Sequence, residues 1–371
     1  MTKILILYVE AGHGHRKVAE AVEKELRSRN QSDLHIEIAD ALEKTNWLFR
    51  RSYPQIYFLL VLWAPWLWGF FYFLLNLPAV YFLIAPVRSL WNWLQSGTLR
   101  QYLTSGQFDF ILFTHFFPAE VCATAKKRGK LNAQLITIVT DVIPHTVWQN
   151  MGTDSYWVMA EESVKVLVRR GVARQQIYSK GIPVSSEFLQ KNDLSVLKEK
   201  FGLKPNRLTI LFTSGSFGIG PTEAVLDSFR ELGNQIQALV ICGRNRTLFE
   251  SLNQKRFSFP VTLFGFVDNM HEMMSVSDLL IAKPGGATMC ESLVKKIPMV
   301  IMSPIPGQES YNANWLLSHQ AAFQITNPSE IKDIIVRIVN QPGLLDSMRE
   351  AINRIARPRA TSDIADFLLR K

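Results

Sequence analysis

Short unbroken apolar runs alternate along this chain with longer stretches in which apolar residues recur every third or fourth position. Ile4–Val9, Ala238–Cys242, Leu279–Ala282 and Met299–Met302 are runs of the first kind, and Phe108–Phe113, Leu135–Val139, Leu208–Phe212 and Val261–Phe266 are mostly apolar runs of similar length. Such runs are expected of strands covered on both faces in a parallel sheet. Leu34–Ala39 alternates instead, and Asp154–Met159 reads as a further strand. Val18, Val22 and Leu26 repeat at helical spacing, and helices are predicted at Glu161–Arg170, Thr222–Leu232, Asp268–Met274, Thr288–Lys296, Ser329–Asn340 and Leu344–Ala356. Strand, turn, helix, strand is the βαβ pattern, so the fold class is α/β with parallel sheets. A polar stretch, helical in patches, separates two such series, giving a first domain over 1–183, a linker over 184–205 and a second domain over 206–356.

Ligands in open parallel sheets bind beyond the carboxyl ends of the strands, and the polar clusters of this chain fall there. Glu10-Ala-Gly-His-Gly-His-Arg follows the first strand, with Gly12 and Gly14 permitting a tight turn. His15 is a candidate general base because an imidazole titrates near cellular pH. His115 ends the third strand, and Asp141 and His145 follow the fourth, where Asp141 is either a pocket residue or a helix cap. Gly215, Ser216 and Gly218 form a Gly-rich loop, and Gly285 and Gly286 bring bare N–H groups to a helix start; both suit an anionic group. The loop lacks the ATPase pattern GxxxxGK[ST]. Glu291 lies one turn inside the latter helix, where its carboxylate can accept two bonds from a ribose diol.

Between Arg51 and Arg88 there is no charged residue. A spanning helix needs roughly 20 apolar residues, and Ile56–Leu75 has that length, but Pro65, Gly69 and Pro78 interrupt it. The strands on either side belong to one sheet, so the chain must return to the side it left. A helical hairpin over about 52–87, dipping into one leaflet and breaking near Pro65 or Pro78, is expected. Trp63, Trp66, Trp68, Tyr72 and Tyr81 suit the interfacial zone, and Arg50, Arg51, Arg88 and Arg100 suit anionic lipid phosphates.

The whole-chain balance agrees: 371 residues carry a formal charge of +9, and no basic run resembles a nucleic-acid arm, so anionic membrane lipids are the expected partner. Cys122, Cys242 and Cys290 are widely spaced and read as free thiols of a reducing compartment. No metal-ligand spacing occurs, and the first apolar run is too short for a signal peptide.

The segments PGGATMCE and IPGQE, with GHGHR, TDVIPHTVW, GIPVSSEF and VICGRN, resemble the glycosyltransferases that make monogalactosyl- or glucosyl-diacylglycerol, relatives of the lipid II-forming transferase. The resemblance covers most of the chain outside Leu60–Ala85. It implies the GT-B fold, two Rossmann-like domains facing a cleft, with the tail 357–371 returning to the first domain. It implies inverting transfer of a hexose from a UDP-sugar to diacylglycerol at the cytoplasmic face of the membrane, with no cofactor and no metal. His15 matches the family's histidine, whereas Glu10 stands where plant galactolipid synthases have Asp; Glu10 is the base or orients His15. Gly14, His115, Asp141 and His145 would line the acceptor pocket. Gly215, Ser216, Gly218, Gly285, Gly286 and Thr288 would hold the diphosphate, Glu291 the ribose, Phe266 the nucleobase, and Gln308 and Glu309 the sugar, with Arg244 a further donor-site residue. Two alternatives stay open: a UDP-N-acetylglucosamine transferase with a polyprenyl-linked or other lipid acceptor, and a non-catalytic UDP-sugar sensor.

Overall fold

The computed structural model describes residues 1–10, 12–215, 218, 220–341 and 343–370. The chain forms two compact units, one of residues 1–186, 305–311 and 357–371, the other of 187–304 and 312–356.

In the first unit β1 (Thr2–Tyr8), α1 (His13–Ser28) and β2 (Leu34–Asp40) make the opening βαβ unit. Val18, Val22 and Leu26 of α1 are fully buried. Each apolar side chain so covered contributes roughly 1.5–3 kcal/mol, which explains why this face sets the helix. Four helices follow: α2 (Trp47–Trp63), α3 (Pro65–Asn76), α4 (Pro78–Gln95) and α5 (Gly97–Gly106). Then come β3 (Phe110–Phe113), α6 (Phe116–Lys127), β4 (Gln134–Ile138), β5 (Ser155–Val158), α7 (Glu161–Arg169) and β6 (Ile177–Ser179). The six strands are parallel in the order β2-β1-β3-β4-β5-β6. The chain therefore reverses its direction of travel across the sheet between β1 and β3, and the turns after those two strands flank that point.

The apolar stretch is three helices rather than one hairpin. Proline lacks the N–H that a helix interior needs but fits its first position, so Pro65 and Pro78 each start a new helix. The axis bends by 115° between α2 and α3, and among the described residues no single helix is long and apolar enough to cross a membrane. On α3 the row Gly69, Tyr72 and Asn76 turns inward, Gly69 and Tyr72 buried and Asn76 bonded to the body of the unit, while Trp66, Phe70 and Phe73 are exposed. Asn76 Oδ1 accepts from Thr146 N at 3.0 Å and from Arg170 Nη2 at 2.9 Å, tying the end of α3 to that body.

Two aromatics expected at a membrane interface are thereby corrected: Tyr72 is buried and Tyr81 is half-buried, its hydroxyl bonded to Arg88 at 2.6 Å. Arg88 is also not free for lipid phosphate. Its guanidinium pairs with buried Glu120 at 3.1 Å. Arg100 stacks 3.9 Å over the Trp93 ring. Trp63 and Trp66 are exposed as expected.

The second unit contains α8 (Leu194–Lys200), β7 (Leu208–Thr213), α9 (Thr222–Ser228), β8 (Ile236–Ile241), α10 (Arg246–Asn253), β9 (Val261–Phe264) and α11 (Met270–Ser275). It continues through β10 (Leu279–Ala282), α12 (Gly286–Lys295), β11 (Met299–Met302), β12 (Ala322–Ile325), α14 (Glu330–Asn340) and α15 (Leu344–Ile355); α13 (Gln308–Ser318) begins in the segment counted with the first unit. Its six parallel strands run β12-β11-β10-β7-β8-β9, so the reversal lies between β10 and β7. The helix expected over Thr222–Leu232 ends at Ser228, because the chain goes into a 3-10 segment with Gly233 at φ 50°. Lys296, the last residue of the helix expected over Thr288–Lys296, caps α12 in the left-handed conformation.

The last helix, α16 (Ala360–Leu369), belongs to the first unit and packs on α1. Thr361 Oγ1 accepts from Val184 N at 2.9 Å and donates to Val184 O at 2.7 Å. Gly181 has φ +97°, and a Cβ there would lie 2.4 Å from Arg357 Cβ, so only glycine permits this crossing of strands of chain.

Candidate active site

At the reversal point of the first sheet, the turn after β1 meets the turn after β3. His15 Nδ1 lies 2.5 Å from the carbonyl oxygen of Thr114, and Thr114 Oγ1 donates back to His15 O at 2.9 Å. A carbonyl only accepts, so the proton sits on Nδ1 and Nε2 keeps its lone pair. Burial lowers the His15 pKa to about 4, against the raising effect of the Thr114 carbonyl. The ring is therefore neutral at cellular pH. His115 stands edge-on to it with centroids 4.8 Å apart, and its own Nδ1 accepts from Phe117 N at 3.1 Å. His115 is thus buried behind His15 as a helix cap, and desolvation together with His15 holds it well below its ordinary pKa.

Glu10 does not orient His15. Its carboxylate pairs with His13 Nδ1 at 3.2 Å and with Arg16 at 3.6 Å, and the orienting role falls to the Thr114 carbonyl. That nearer partner is backbone and carries no side-chain signal, while Thr140 Oγ1, from the TDVIPHTVW segment, lies 3.3 Å from the same nitrogen. Gly14 is exposed in the first turn of α1.

A second cluster gathers around α2 and α3. His145 Nε2 lies 2.9 Å from Tyr72 O, and its Nδ1 accepts from Val147 N at 3.2 Å. Both ring nitrogens are used, so this histidine fastens α3. Burial lowers its pKa to about 4. Asp141 is half-buried on a bend rather than capping a helix, and its charge bears on the Tyr57 and Tyr72 phenols. Tyr72 is buried with its hydroxyl unbonded, and burial raises its pKa well above the ordinary phenol value. Gln308 and Glu309 lie in the first turn of α13 rather than in a loop. One Glu309 oxygen accepts from Ile305 N at 2.7 Å and closes that turn. Gln308 Nε2 donates to Tyr57 Oη at 3.4 Å. Tyr57 and Tyr72 are the residues that sequence reasoning did not assign to the site. A polar or small residue on an apolar helix at the spacing of Gly69, Tyr72 and Asn76 is the signal that finds such an inward row.

In the second unit the turns after β7 and β10 flank the reversal point. Gly285 caps α12 and its carbonyl accepts from Met289 N at 2.8 Å, leaving Gly286 and Thr288 in the first turn. Asn312, fully buried, donates to Pro284 O at 3.0 Å and holds this turn. Glu291 is buried within α12. Gly215 and Gly218 take positive φ, and a Cβ on Gly218 would lie 2.1 Å from Cys242 O. Ser216 lies outside the described residues. Asn245 Nδ2 donates to Gly218 O at 3.0 Å, which joins the loops after β7 and β8. Arg244 lies 5.1 Å over the Phe266 ring, which remains partly exposed, so these two candidates meet at the ends of β8 and β9.

Comparison with known proteins bears on the fold and the family. Residues 15–184 match the monogalactosyldiacylglycerol (MGDG) synthase family and residues 209–351 match the glycosyltransferase family 28 C-terminal domain. The chain is 28% identical to proteins named processive diacylglycerol beta-glucosyltransferase from Bacillus mycoides (strain KBAB4) and Bacillus cereus (strain AH187), over 99% of this chain and 93% of each relative. Among solved structures, MurG of Acinetobacter baumannii superposes with a TM-score of 0.60 at 14% identity, covering 99% of both chains. Anabaena Alr3699/HepE in complex with UDP-glucose gives 0.58 at 14%, again over 99% of both. These two likenesses concern the fold, which is GT-B. With both halves matched and the relatives aligned along nearly its whole length, the chain belongs to the glycosyltransferase family that contains the monogalactosyldiacylglycerol synthases and the diacylglycerol glucosyltransferases.

Proposed function

We propose that the protein transfers a hexosyl group from a UDP-sugar to the free hydroxyl of diacylglycerol, with inversion at the anomeric carbon. The observation that carries the reading is the fixed tautomer of His15 at the reversal point of the first sheet. Nε2 takes the acceptor proton as the acceptor oxygen bonds to the anomeric carbon and the bond to the diphosphate breaks; the proton then passes from Nε2 to water. A base with a pKa of about 4 is ready at every cellular pH and takes the proton late, once the hydroxyl has become acidic through bonding to carbon.

In this reading UDP leaves from the second unit, where Gly286 and Thr288 at the start of α12 and the loop of Gly215 and Gly218 meet its diphosphate. Glu291 takes the ribose, Arg244 with Phe266 the nucleobase side, and Gln308 and Glu309 the sugar hydroxyls. No cofactor beyond the UDP-sugar enters. The exposed aromatics of α2–α4, with the net charge of +9, favour docking on an anionic membrane surface, on the face that meets the UDP-sugar pool. Glucose is the first sugar to try, because the relatives are named for it.

The test is transfer of label from UDP-glucose, UDP-galactose and UDP-N-acetylglucosamine to diacylglycerol in anionic vesicles, with singly and multiply glycosylated lipids resolved. A glycosyldiacylglycerol is expected, and His15→Asn should lower its rate by roughly 10²–10⁴-fold, the usual contribution of a general base. UDP binding without lipid product would reject the reaction, and near-normal turnover in the variant would reject the base.

A further inference from the structure

Three consecutive residues of the IPGQE segment are each held by a residue of the apolar helices. A Cβ on Gly69 would lie 2.8 Å from Pro306 Cβ, so α3 meets the proline at a distance only glycine permits. Gly307 (φ +96°) lies so close over the Tyr72 ring that a Cβ there would be 2.5 Å from ring atoms. Gln308 Nε2 donates to Tyr57 Oη at 3.4 Å across 251 residues of sequence. The helices whose outer face carries Trp63, Trp66, Phe70 and Phe82 therefore grip the stretch to which the sugar contacts belong, with their inner face.

We infer that Tyr57 is a positioning residue for recognition of the donor sugar: by accepting the Gln308 N–H it fixes the side-chain amide so that Oε1 is presented to a sugar hydroxyl. The inference rests on the transfer reaction proposed above and names how that site reads its sugar. An amide turned the other way would present two donors instead of an acceptor; in the structure the amide N–H is the group that faces the phenol oxygen. Tyr57 suits the task because burial, followed by the nearby Glu309 charge, raises its pKa, so it stays a neutral phenol throughout the working range. Trp68 stands edge-on at 5.0 Å and fixes the ring. Gly69 and Tyr72 meanwhile fix the backbone on which Gln308 starts α13.

The experiment is a mutant cycle on the full chain with vesicles containing diacylglycerol. Tyr57→Phe keeps the ring and removes the acceptor; it should raise KM for the UDP-sugar about tenfold, the size of one hydrogen bond, with vesicle sedimentation and melting temperature unchanged. In a Gln308→Ala background the same change should do nothing, because the group being positioned is gone. Gly69→Val, which pushes on Pro306 without touching Tyr57, should raise the same KM while leaving vesicle sedimentation intact. A Tyr57→Phe variant with wild-type KM, or one whose loss is equally large in the Gln308→Ala background, would overturn the inference. Absence of lipid product from the wild-type protein would instead sink the reaction itself, so the two failures are distinct.

Discussion

Acidification should unfold the first unit well before carboxylate chemistry alone would do so. Burial takes the His15 and His145 pKa values from 6.5 down to about 4 in the folded chain. Between those values the unfolded chain binds protons that the folded chain refuses, so the full stability is present above pH 6.5 and drains away as the pH falls through this window. At pH 5 each group costs about 2 kcal/mol, from RT times the logarithm of the two binding polynomials. Together they cost about 4 kcal/mol, against a net stability that for most domains is roughly 5–15 kcal/mol. His115, lowered further by its burial and by His15, adds in the same direction. The assay is urea denaturation at pH 5 and pH 8, followed by tryptophan fluorescence. Eight of the nine tryptophans lie in the first unit, so the signal reports on it. His145→Gln removes the titrating ring while leaving an amide N–H able to donate to Tyr72 O, so it should shrink the difference between the two pH values by about 2 kcal/mol. If the wild type were equally stable at the two pH values, or if the variant kept the whole difference, the burial argument would be refuted.

Three further outcomes are expected. Glu291→Ala should weaken UDP binding in calorimetry by about tenfold or more, since one side chain with two charge-assisted bonds is lost; unchanged affinity would remove Glu291 from the ribose. Gly218→Ala places a methyl 2.1 Å from the Cys242 carbonyl at a backbone angle costing about 1–2 kcal/mol for a non-glycine residue, so the UDP affinity should fall while the first unit's fluorescence melt is unaffected. Replacing Trp63, Trp66 and Phe82 together with Ser removes three of the most exposed rings and should cut sedimentation with anionic vesicles at least roughly tenfold; undiminished sedimentation would move the docking surface elsewhere.

Much of this fold could be read from the chain because its strands are buried on both faces and the glycines cluster at their carboxyl ends. Ile4–Val9 and Leu279–Ala282 announced themselves as sheet interior, and the turns that follow them do flank the reversal points. The apolar segment was legible in composition but not in shape. Pro65 and Pro78 each allow either a break or a kink, and only tertiary packing made both into breaks. Tyr57 and Tyr72 were hidden for a related reason: an aromatic in a greasy run looks the same whether it faces lipid or a neighbouring loop. The orientation of His15 was not legible, because its nearer partner is the main-chain oxygen of Thr114, which every residue type possesses, and the more distant one, Thr140 Oγ1, comes from 125 residues away in sequence. Glu10, the conspicuous neighbour in sequence, turned out to be occupied by His13 and Arg16.

The return of α16 to α1 has a consequence for how the protein is made. The first unit includes the last fifteen residues, and Thr361 closes two bonds on Val184 that no earlier segment supplies. During synthesis at about 5–20 residues per second, the first sheet can assemble early, yet its outer layer waits until α16 has left the ribosome. The second unit, whose residues end at Ala356, needs no such wait. The unit whose sheet comes earlier in the chain is therefore completed after the other, and a chain cut before α16 would carry its defect in the first unit.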